Sequence, residues 1–597
     1  MSIQVSNPRF VMVHKILTIF LFLGFSSCLS SQTDEIAFIE KEIRRTMRKQ
    51  HLPAMAVTVV RGQEILYQDA MGWIDMENQI PATTRSVFKL WSLAKAFTAL
   101  GIFREIEEGL IDLDAPVTSY LPDFSIQSRY AANEIPSIRD ILAHRGGLPR
   151  HEGLMPAGIV RENLNYLERF EYGVANCYAA YPVATQYKYS NLGYDLLGRV
   201  LEETSKEGFF KYMKLEVLNE LGMFNAAYYS GSIDSSLHRA LGYEYHKRKY
   251  HPYIQYDINN FPSGNLYATI EDLSVFLQTI FRKEFFTQKE TLSRMLVDLY
   301  SKPDDPETMG LGWKLAPMEH GDTLVWHDGG PTEGIGSLVA FLPEQEIGIA
   351  VIGNGTSFSG FYAMQFARKV LNRIMNEHAA EESPGEPEPL EQPAKATRYE
   401  LSLEQLQKLE GRYAAFGSLA EVKLKGNQLK ADFGEVSLIL IPWSDTEFTV
   451  THWLVKTGLT RIIEPPVDFT KLRLSFRDES SEGYGTMILN MLDVTYEICP
   501  RYPAQIGKPE QWEKWCGSYG RADRIPGAGW ETLGDAHTEI RMEEGVLLMS
   551  EPYGPILPVN DTLIRVLSGS YHGEVLDYDR ETGVILHQKW AFIPAKK

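Results

Sequence analysis

Apolar side chains recur at near-helical spacing in the stretch that follows Ser92. They are three or four residues apart, which places them on one face of a helix. Gly109 follows the last of them, and glycine is favoured where a helix ends in a left-handed cap. The pattern predicts a helix that begins at Ser92 and ends near Gly109, with an apolar face made by Leu93, Phe97, Leu100, Phe103 and Ile106.

A different pattern occupies residues 333–355, which read EGIGSLVAFLPEQEIGIAVIGNG. Two apolar runs flank a Pro-Glu-Gln-Glu turn, so they predict two strands joined by that turn. The periodic stretch FYAMQFARKVLNRIMNE follows, and it predicts a helix that closes this first domain. Proline and glutamate then dominate HAAEESPGEPEPLEQPAKAT, a composition typical of an extended linker.

An internal repeat lies beyond this linker. The short alternating stretches AEVKLKGNQLKADF and TEIRMEEGVLLMS predict β-meanders. The repeat therefore predicts two tandem β-barrels, whose cores we expect to contain Trp443, Trp453, Trp512 and Trp515. In register at a shift of 106, Glu404-Gln405, Lys408, Gly411 and Tyr413 recur as Glu510-Gln511, Lys514, Gly517 and Tyr519. At a larger shift, Pro442, Asp445-Thr446 and Phe448 are echoed by Pro558, Asp561-Thr562 and Ile564.

Candidate chemistry begins with Ser92 and Lys95. Residues three apart on a helix share one face, so the amine can reach the hydroxyl, and a serine beside a lysine can act as a nucleophile. The same short pattern recurs at Ser86 and Lys89. Only the stretch after Ser92 continues as a helix, and this favours Ser92.

Two further segments supply groups that a serine acyl-transfer site requires. Tyr189 and Asn191 are two residues apart, so in an extended or looped backbone they face one cleft. His327 can donate or accept a proton, and the glycine pair Gly329 and Gly330 lets the backbone approach a substrate closely. Taken singly, each of these segments is also compatible with an ordinary turn or loop.

Together, the three motifs occur in the order and rough spacing of a known family. The chain resembles the serine β-lactamase and penicillin-binding-protein superfamily, in particular the class C β-lactamase-like branch of D-aminopeptidases, carboxypeptidases and esterases. The resemblance covers roughly residues 35 to 378. Further stretches that carry it are Leu110–Val117, Tyr120–Pro122, Ile141–Pro149, Pro262–Leu266 with Thr269 and Asp272, and Gly310–Trp313.

This resemblance implies an α/β (α+β) catalytic domain with an antiparallel sheet and a helical subdomain, followed by two antiparallel β-barrel domains similar to lipocalins. It makes Ser92 the nucleophile, places Lys95 and Tyr189 in proton transfer, and leaves open which of the two is the base. Asn191 would orient the substrate. The backbone N–H groups of Ser92 and Gly330 would form the oxyanion hole, beside His327 and Gly329 of the third motif.

The third motif departs from true β-lactamases, which carry Lys-Thr-Gly where this chain has His327-Asp328-Gly329. The difference favours cleavage of a peptide, amide or ester. If the Asp328 side chain points inward, it would also disfavour an anionic substrate group. Two alternatives stay open: a β-lactamase or penicillin-binding sensor that deacylates slowly, and a non-catalytic scaffold that binds through its barrels.

Composition narrows the partners and the location. The net charge of −19 argues against nucleic acid and anionic membranes. The four cysteines lack metal-ligand spacing, and His144 and His151 have no partner set, so neither a metal nor another cofactor is expected. We expect a small-molecule or peptide substrate, and the oligomeric state stays open.

At the N-terminus, Arg9, His14 and Lys15 precede the apolar run ILTIFLFLGF. This predicts a secretory signal, and hence a periplasmic or extracellular protein. Cys28 follows small residues, so two outcomes are open: lipid attachment at Cys28, which would anchor the protein to a membrane, or simple cleavage near Ser31. The predicted organisation is therefore a signal peptide (1–31), a catalytic domain (35–378), a linker (379–397) and two barrels (398–505 and 506–597).

Overall fold

The structure is a computed structural model that describes residues 34–594 with gaps. The predicted signal segment and Cys28 therefore lie outside the described residues, as does most of the linker. Within the part that is described, no helix combines the length and apolar character needed to cross a membrane. The gaps are residues 131–133, 152–173, 176, 254, 256, 259, 298–307, 319–320, 331, 383–398, 416–417, 435, 452–471, 478–484, 492–493, 504–510, 526–528, 544, 551–552, 568–570, 581, 583 and 588–589.

An eight-stranded antiparallel sheet forms the centre of the first domain. The strands of this domain are β1 (Ala54–Arg61), β2 (Glu64–Asp75), β3 (Ile80–Pro81), β4 (Phe88–Trp91), β5 (Tyr243–His246), β6 (Lys249–Pro252), β7 (Leu266–Ala268), β8 (Thr308–Met309), β9 (Lys314–Pro317), β10 (Thr323–Gly329), β11 (Gly336–Leu342) and β12 (Ile347–Gly353). The sheet order is β3-β2-β1-β12-β11-β10-β9-β8, while β4 pairs with β7 and β5 with β6. Because β1 pairs with β12, the two ends of the domain meet in the middle of the sheet.

Helices cover both faces of this sheet. They are α1 (34–49), α2 (Ala94–Glu107), α3 (Ile138–Leu142), α4 (Asn191–Ser205), α5 (Phe209–Tyr212, continued by the π-helical turn Met213–Leu218), α6 (Phe261–Gly264), α7 (Ile270–Arg282), α8 (Glu290–Met295) and α9 (Gly360–Glu382). On one face, α1 and α9 share a core with sheet residues such as Val57. On the other, Phe97 of α2 packs against Phe276 of α7, and the Phe276 ring stacks on Trp313.

The predicted elements of this domain are confirmed. Ser92 lies in the turn that leads into α2, and Gly109 has φ +73° just past the end of this helix. The strands β11 and β12 pair directly at Leu342 and Ile347 across the Pro-Glu-Gln-Glu turn. The expected closing helix is α9.

Two closed eight-stranded barrels follow, as the internal repeat predicts. The first is preceded by α10 (Leu403–Lys408) and consists of β13 (Gly411–Ala415), β14 (Ser418–Lys425), β15 (Gln428–Asp432), β16 (Ser437–Pro442), β17 (Glu447–Thr451), β18 (Leu472–Arg477), β19 (Thr486–Met491) and β20 (Val494–Tyr502). The second consists of β21 (Gly517–Ile525), β22 (Gly529–Glu543), β23 (Val546–Met549), β24 (Gly554–Pro558), β25 (Leu563–Val566), β26 (Val575–Tyr578), β27 (Ile585–His587) and β28 (Trp590–Pro594).

The two barrels repeat one another in detail. The Tyr413 hydroxyl donates to the carbonyl oxygen of Leu409 at 2.9 Å, and the Tyr519 hydroxyl donates to that of Trp515 at 2.6 Å. In each barrel this bond ties the first strand to the segment before it.

Later in each barrel, a proline ends the fourth strand opposite an apolar residue of the fifth. Pro442 pairs with Phe448 in the first barrel, and Pro558 pairs with Ile564 in the second. The residues that carry the repeat in the sequence therefore hold equivalent positions in space.

The tryptophans follow the core prediction only in part. Trp515 is fully buried, and Trp512 packs against it. The prediction is wrong for Trp443, which is 50% exposed because it lies in the turn after β16, beyond the barrel wall. Trp453 lies outside the described residues.

Candidate active site

Ser92 and Lys95 meet at the start of α2. The Lys95 ammonium nitrogen lies 3.2 Å from the Ser92 hydroxyl and 2.6 Å from the carbonyl oxygen of Ser263. Lys95 is fully buried, whereas Ser92 is partly exposed. Trp91, directly before Ser92, has φ +51°, a left-handed conformation that turns the chain sharply from β4 towards α2. The serine is therefore presented at a strained turn, with its lysine beneath it.

The second Ser-x-x-Lys pattern forms no such pair. Ser86 accepts a hydrogen bond from the Thr83 N–H at 3.0 Å. Lys89 lies on β4, with its nitrogen 3.8 Å from the centre of the Trp91 ring and 3.9 Å from the Glu333 carboxylate. Ser86 lies before β4 and Lys89 lies on it, so this pair lacks the helical geometry that brings Lys95 to Ser92.

Tyr189 completes a cluster of three polar groups. Its hydroxyl lies close enough to Ser92 for the serine side chain to lower the pKa of the phenol. The Lys95 nitrogen lies 4.7 Å from the centre of its ring, and the Arg150 guanidinium lies 5.2 Å from it. His144 stacks beside this ring, with 4.5 Å between centres. Ser92, Lys95 and Tyr189, which the sequence predicts as catalytic, thus lie together.

Asn191 is the first residue of α4, and Ser190 caps this helix. The Asn191 side-chain nitrogen lies 3.4 Å from His151, while the Asn191 side-chain oxygen is buried without a hydrogen-bond partner in the described part of the chain. The backbone N–H of Asn191 donates to the carbonyl oxygen of Arg150. The predicted substrate-orienting residue therefore keeps an acceptor available.

The third motif ends strand β10, next to β4. A Cβ on Gly329 would lie 1.9 Å from the carbonyl oxygen of Leu90, two residues before Ser92, so glycine is required where these strands meet. Ser337 donates to the same oxygen at 2.9 Å. Gly330, the predicted oxyanion donor, directly follows this contact in the chain.

His327 and Asp328 project to opposite faces of the sheet, since side chains alternate along a strand. His327 is fully buried on the face of α2. Asp328 lies 3.2 Å from Lys314 and contacts the start of α9 at Gly360, on the other face. The Asp328 side chain therefore points away from the cleft, so the expected repulsion of an anionic substrate group does not apply.

Burial shifts the pKa values of the two predicted proton-transfer groups in opposite directions. Desolvation lowers the pKa of Lys95 well below its usual value, although the Asp195 carboxylate opposes this shift. Desolvation raises the pKa of Tyr189 to about 12, although the nearby Ser92 side chain and the Arg150 charge oppose this shift. Lys95 therefore gives up its proton more readily than an exposed lysine, and Tyr189 stays a neutral phenol.

Three residues that support the site are not among those predicted from the sequence. Asp195 lies one turn after Asn191 on α4, is fully buried, and accepts a hydrogen bond from Asn260 at 2.6 Å. An aspartate within the apolar stretch NLGYDLLG indicates a buried carboxylate with a specific partner, because a carboxylate is seldom buried alone. Ser263 lies in the Pro262–Leu266 stretch that carries the family resemblance, but its contact with Lys95 joins distant segments, and no local pattern marks Arg150.

His144 and His151 both contact residues next to the Ser92 site. His144 accepts a hydrogen bond from the Ser190 N–H at 3.1 Å, and His151 contacts Asn191. Desolvation lowers the pKa of both well below the usual value, so both are neutral. Among the described residues, no group of His, Cys, Asp or Glu has the makeup of a metal site.

Comparisons with known proteins match the first domain. A family model described as Beta-lactamase matches residues 39–371. Protein flp of Staphylococcus aureus (strain N315) is 24% identical over 343 residues, which is 57% of this chain and 66% of flp. Beta-lactamase-like protein 2 of Dictyostelium discoideum is 28% identical over 248 residues, or 40% of this chain and 44% of that protein. The chain thus spans less than two thirds of the length of these curated relatives.

One solved structure resembles more of the chain. The octameric penicillin-binding protein homologue from Pyrococcus abyssi aligns with 78% of this chain and 99% of its own, with a TM-score of 0.50 and 20% sequence identity. At this identity, the likeness concerns the fold.

Proposed function

The chain belongs to the beta-lactamase family, and on that basis we propose that it is a serine hydrolase that forms an acyl-enzyme on Ser92 and cleaves a peptide, amide or ester. The observation that carries the proposal is the 3.2 Å contact between the Ser92 hydroxyl and the Lys95 nitrogen, with the Tyr189 ring 4.7 Å from that nitrogen. A serine hydroxyl needs a neighbouring base to become a nucleophile, and this arrangement supplies one.

Lys95 is the general base in this proposal. Its lowered pKa makes the free amine available to take the Ser92 proton as the oxygen attacks the substrate carbonyl carbon. Tyr189, whose pKa is about 12, stays protonated and relays the proton to the leaving group. The N–H groups of Ser92 and Gly330 stabilise the oxyanion, and water then releases the acyl group.

His327 supports an uncharged group in the substrate. Its Nδ1 lies 2.9 Å from the Asp328 carbonyl oxygen, which only accepts, so Nδ1 carries the ring proton. Burial lowers the pKa of His327 to about 3, which keeps the ring neutral. Nε2 is then a buried acceptor without a hydrogen-bond partner in the described part of the chain. Such an acceptor can bind an N–H or O–H donor of the substrate, but it offers no positive charge to a substrate carboxylate.

The test is turnover by the wild type and Ser92→Ala on nitrophenyl esters, D- and L-amino-acid amides, D-alanyl peptides and a chromogenic cephalosporin. We expect Ser92→Ala to lose at least 10²-fold in kcat on the best substrate, because the covalent route is gone. Intact-mass spectrometry of the wild type should show an acyl adduct that maps to Ser92.

Ser86→Ala is the matched control, since Ser86 has the same local sequence pattern but no contact with a catalytic group in the structure. It should turn over substrate like the wild type. Equal rates for Ser92→Ala and the wild type would refute the proposal. An acyl adduct that persists after a single burst would instead favour the slowly deacylating sensor.

A further inference from the structure

The second barrel reaches the active-site wall through residues 571–574, just before β26. His572 contacts the Tyr181 hydroxyl at 2.8 Å, and the Tyr571 ring lies 6.4 Å from that of His151. A Cβ on Gly573 would lie 2.4 Å from the Tyr181 ring, so the two domains are in close contact here. This segment ends at Glu574, whose side chain is directed into the interface.

Glu574 is almost fully buried, and both of its carboxylate oxygens have polar partners. One carboxylate oxygen accepts from the Arg150 backbone N–H at 2.8 Å and lies 3.0 Å from the Lys188 ammonium. The other oxygen lies 3.0 Å from Nε2 of His587, whose Nδ1 contacts the Tyr553 hydroxyl. A buried carboxylate is stable only with such partners, so this network fixes the geometry of everything attached to it.

The two catalytic-domain groups held by Glu574 each lie next to a residue of the Ser92 site. Lys188 directly precedes Tyr189. The Arg150 backbone is held on both sides of its Cα: its N–H donates to Glu574, and its carbonyl oxygen accepts from the Asn191 N–H at 2.8 Å. The Arg150 guanidinium also lies over the Tyr189 ring. Glu574 is thus linked to Asn191 through the backbone of the single residue Arg150, and to Tyr189 through the adjacent residue Lys188.

We propose that Glu574 is a positioning residue for the Ser92 site, through which the second barrel sets the places of Tyr189 and Asn191. This rests on the proposed hydrolase function. The carboxylate touches no reacting atom and acts through Arg150 and Lys188. A displacement of about 1 Å in such a group can cost on the order of 100-fold in rate, so a distant anchor can control turnover.

The test compares two double variants of the full chain, Lys188→Met with Glu574→Gln and Lys188→Met with Glu574→Met. Both remove the buried charge pair, so neither leaves an uncompensated ion. Only glutamine retains an oxygen that can accept the Arg150 N–H. Ester turnover gives kcat and KM, and hydrogen–deuterium exchange reports the peptides that contain Arg150 and Asn191.

We expect the Glu574→Met double variant to show at least 10-fold lower kcat than the Glu574→Gln double variant, with faster exchange at both peptides and a similar Tm. Equal exchange would overturn the proposal whatever the activity. Faster exchange with equal kcat would overturn it too, since Glu574 would then be merely structural. A wild type without Ser92-dependent turnover would refute the hydrolase function instead, and exchange alone would then decide whether Glu574 holds the Arg150–Asn191 contact.

Discussion

At the scale of single residues, burial decides which group of the Ser92 site can act as a base. Lys95 contacts Ser92 and Tyr189 lies beside them, and by sequence either group could take the serine proton. Desolvation disfavours the charged form of each group, which is the protonated amine for lysine but the phenolate for tyrosine. The same physical effect therefore makes Lys95 a better base and Tyr189 a worse one.

The pH profile of kcat/KM tests this assignment. We expect activity to fall as the pH is lowered through the Lys95 pKa, which lies well below 10.5, because the protonated amine cannot accept a proton. Lys95→Arg should lower kcat/KM by about 10²–10⁴-fold, since arginine keeps its proton. The rise of activity with pH should also disappear in this variant. Tyr189→Phe should lower kcat/KM but keep its rise with pH. The opposite pattern, with a rise near pH 12, would make Tyr189 the base.

At the scale of elements, the contact between the ends of β4 and β10 brings the first and third motifs together. Gly329 provides this contact, because it leaves space for the Leu90 carbonyl oxygen that Ser337 also holds. The predicted oxyanion donors, Ser92 and Gly330, lie just beyond the two strand ends. Their separation therefore depends on a contact that only glycine allows.

Gly329→Ala should reduce kcat by about 10²–10³-fold, the usual cost of losing an oxyanion donor. The added Cβ would lie 1.9 Å from the Leu90 oxygen and 2.5 Å from the Ser337 hydroxyl, so the two strand ends must separate. Gly208→Ala is the control, since its Cβ would meet no atom within 4 Å and its φ is −69°. Unchanged turnover in Gly329→Ala would contradict the predicted oxyanion hole.

At the scale of the whole molecule, buried histidines and the Glu574 network couple stability to pH. Desolvation lowers the pKa of His144, His151 and His572 well below 6.5 and that of His327 to about 3. The unfolded chain therefore binds protons near pH 6.5 that the folded chain excludes, and stability rises with pH over this range. The Lys188 charge helps to hold the pKa of Glu574 at about 2. Folding stability therefore falls further as the pH drops below about 4.5.

The Tm should therefore fall steadily between pH 7 and pH 5. Each excluded proton costs roughly 1 kcal/mol of unfolding free energy for each pH unit below 6.5. His327→Gln should flatten part of this dependence, whereas His251→Gln, at an exposed position, should leave its slope unchanged. A Tm that is constant or rises towards pH 5 would show that these histidines are protonated in the folded protein.

By itself, the sequence determined the elements and the reactive groups of this protein. The spacing of apolar residues predicts α2 and α9, the short turn predicts the pairing of β11 with β12, and the repeated residues around Tyr413 and Tyr519 predict two barrels. These features follow from periodicity and turn chemistry within short stretches. The motifs at Ser92, Tyr189 and His327 likewise predict residues that lie together, while the export signal and the fate of Cys28 stay predictions.

Only the tertiary structure decided how these parts act on one another. It turns Asp328 away from the cleft, exposes Trp443, places Asp195 near Lys95, and brings Glu574 to Arg150 across 424 positions of the chain. The physical reason is that burial and hydrogen bonding depend on neighbours from distant segments, which no local pattern contains. The choice between Lys95 and Tyr189 as the base depends on the same neighbours, because desolvation sets both pKa values.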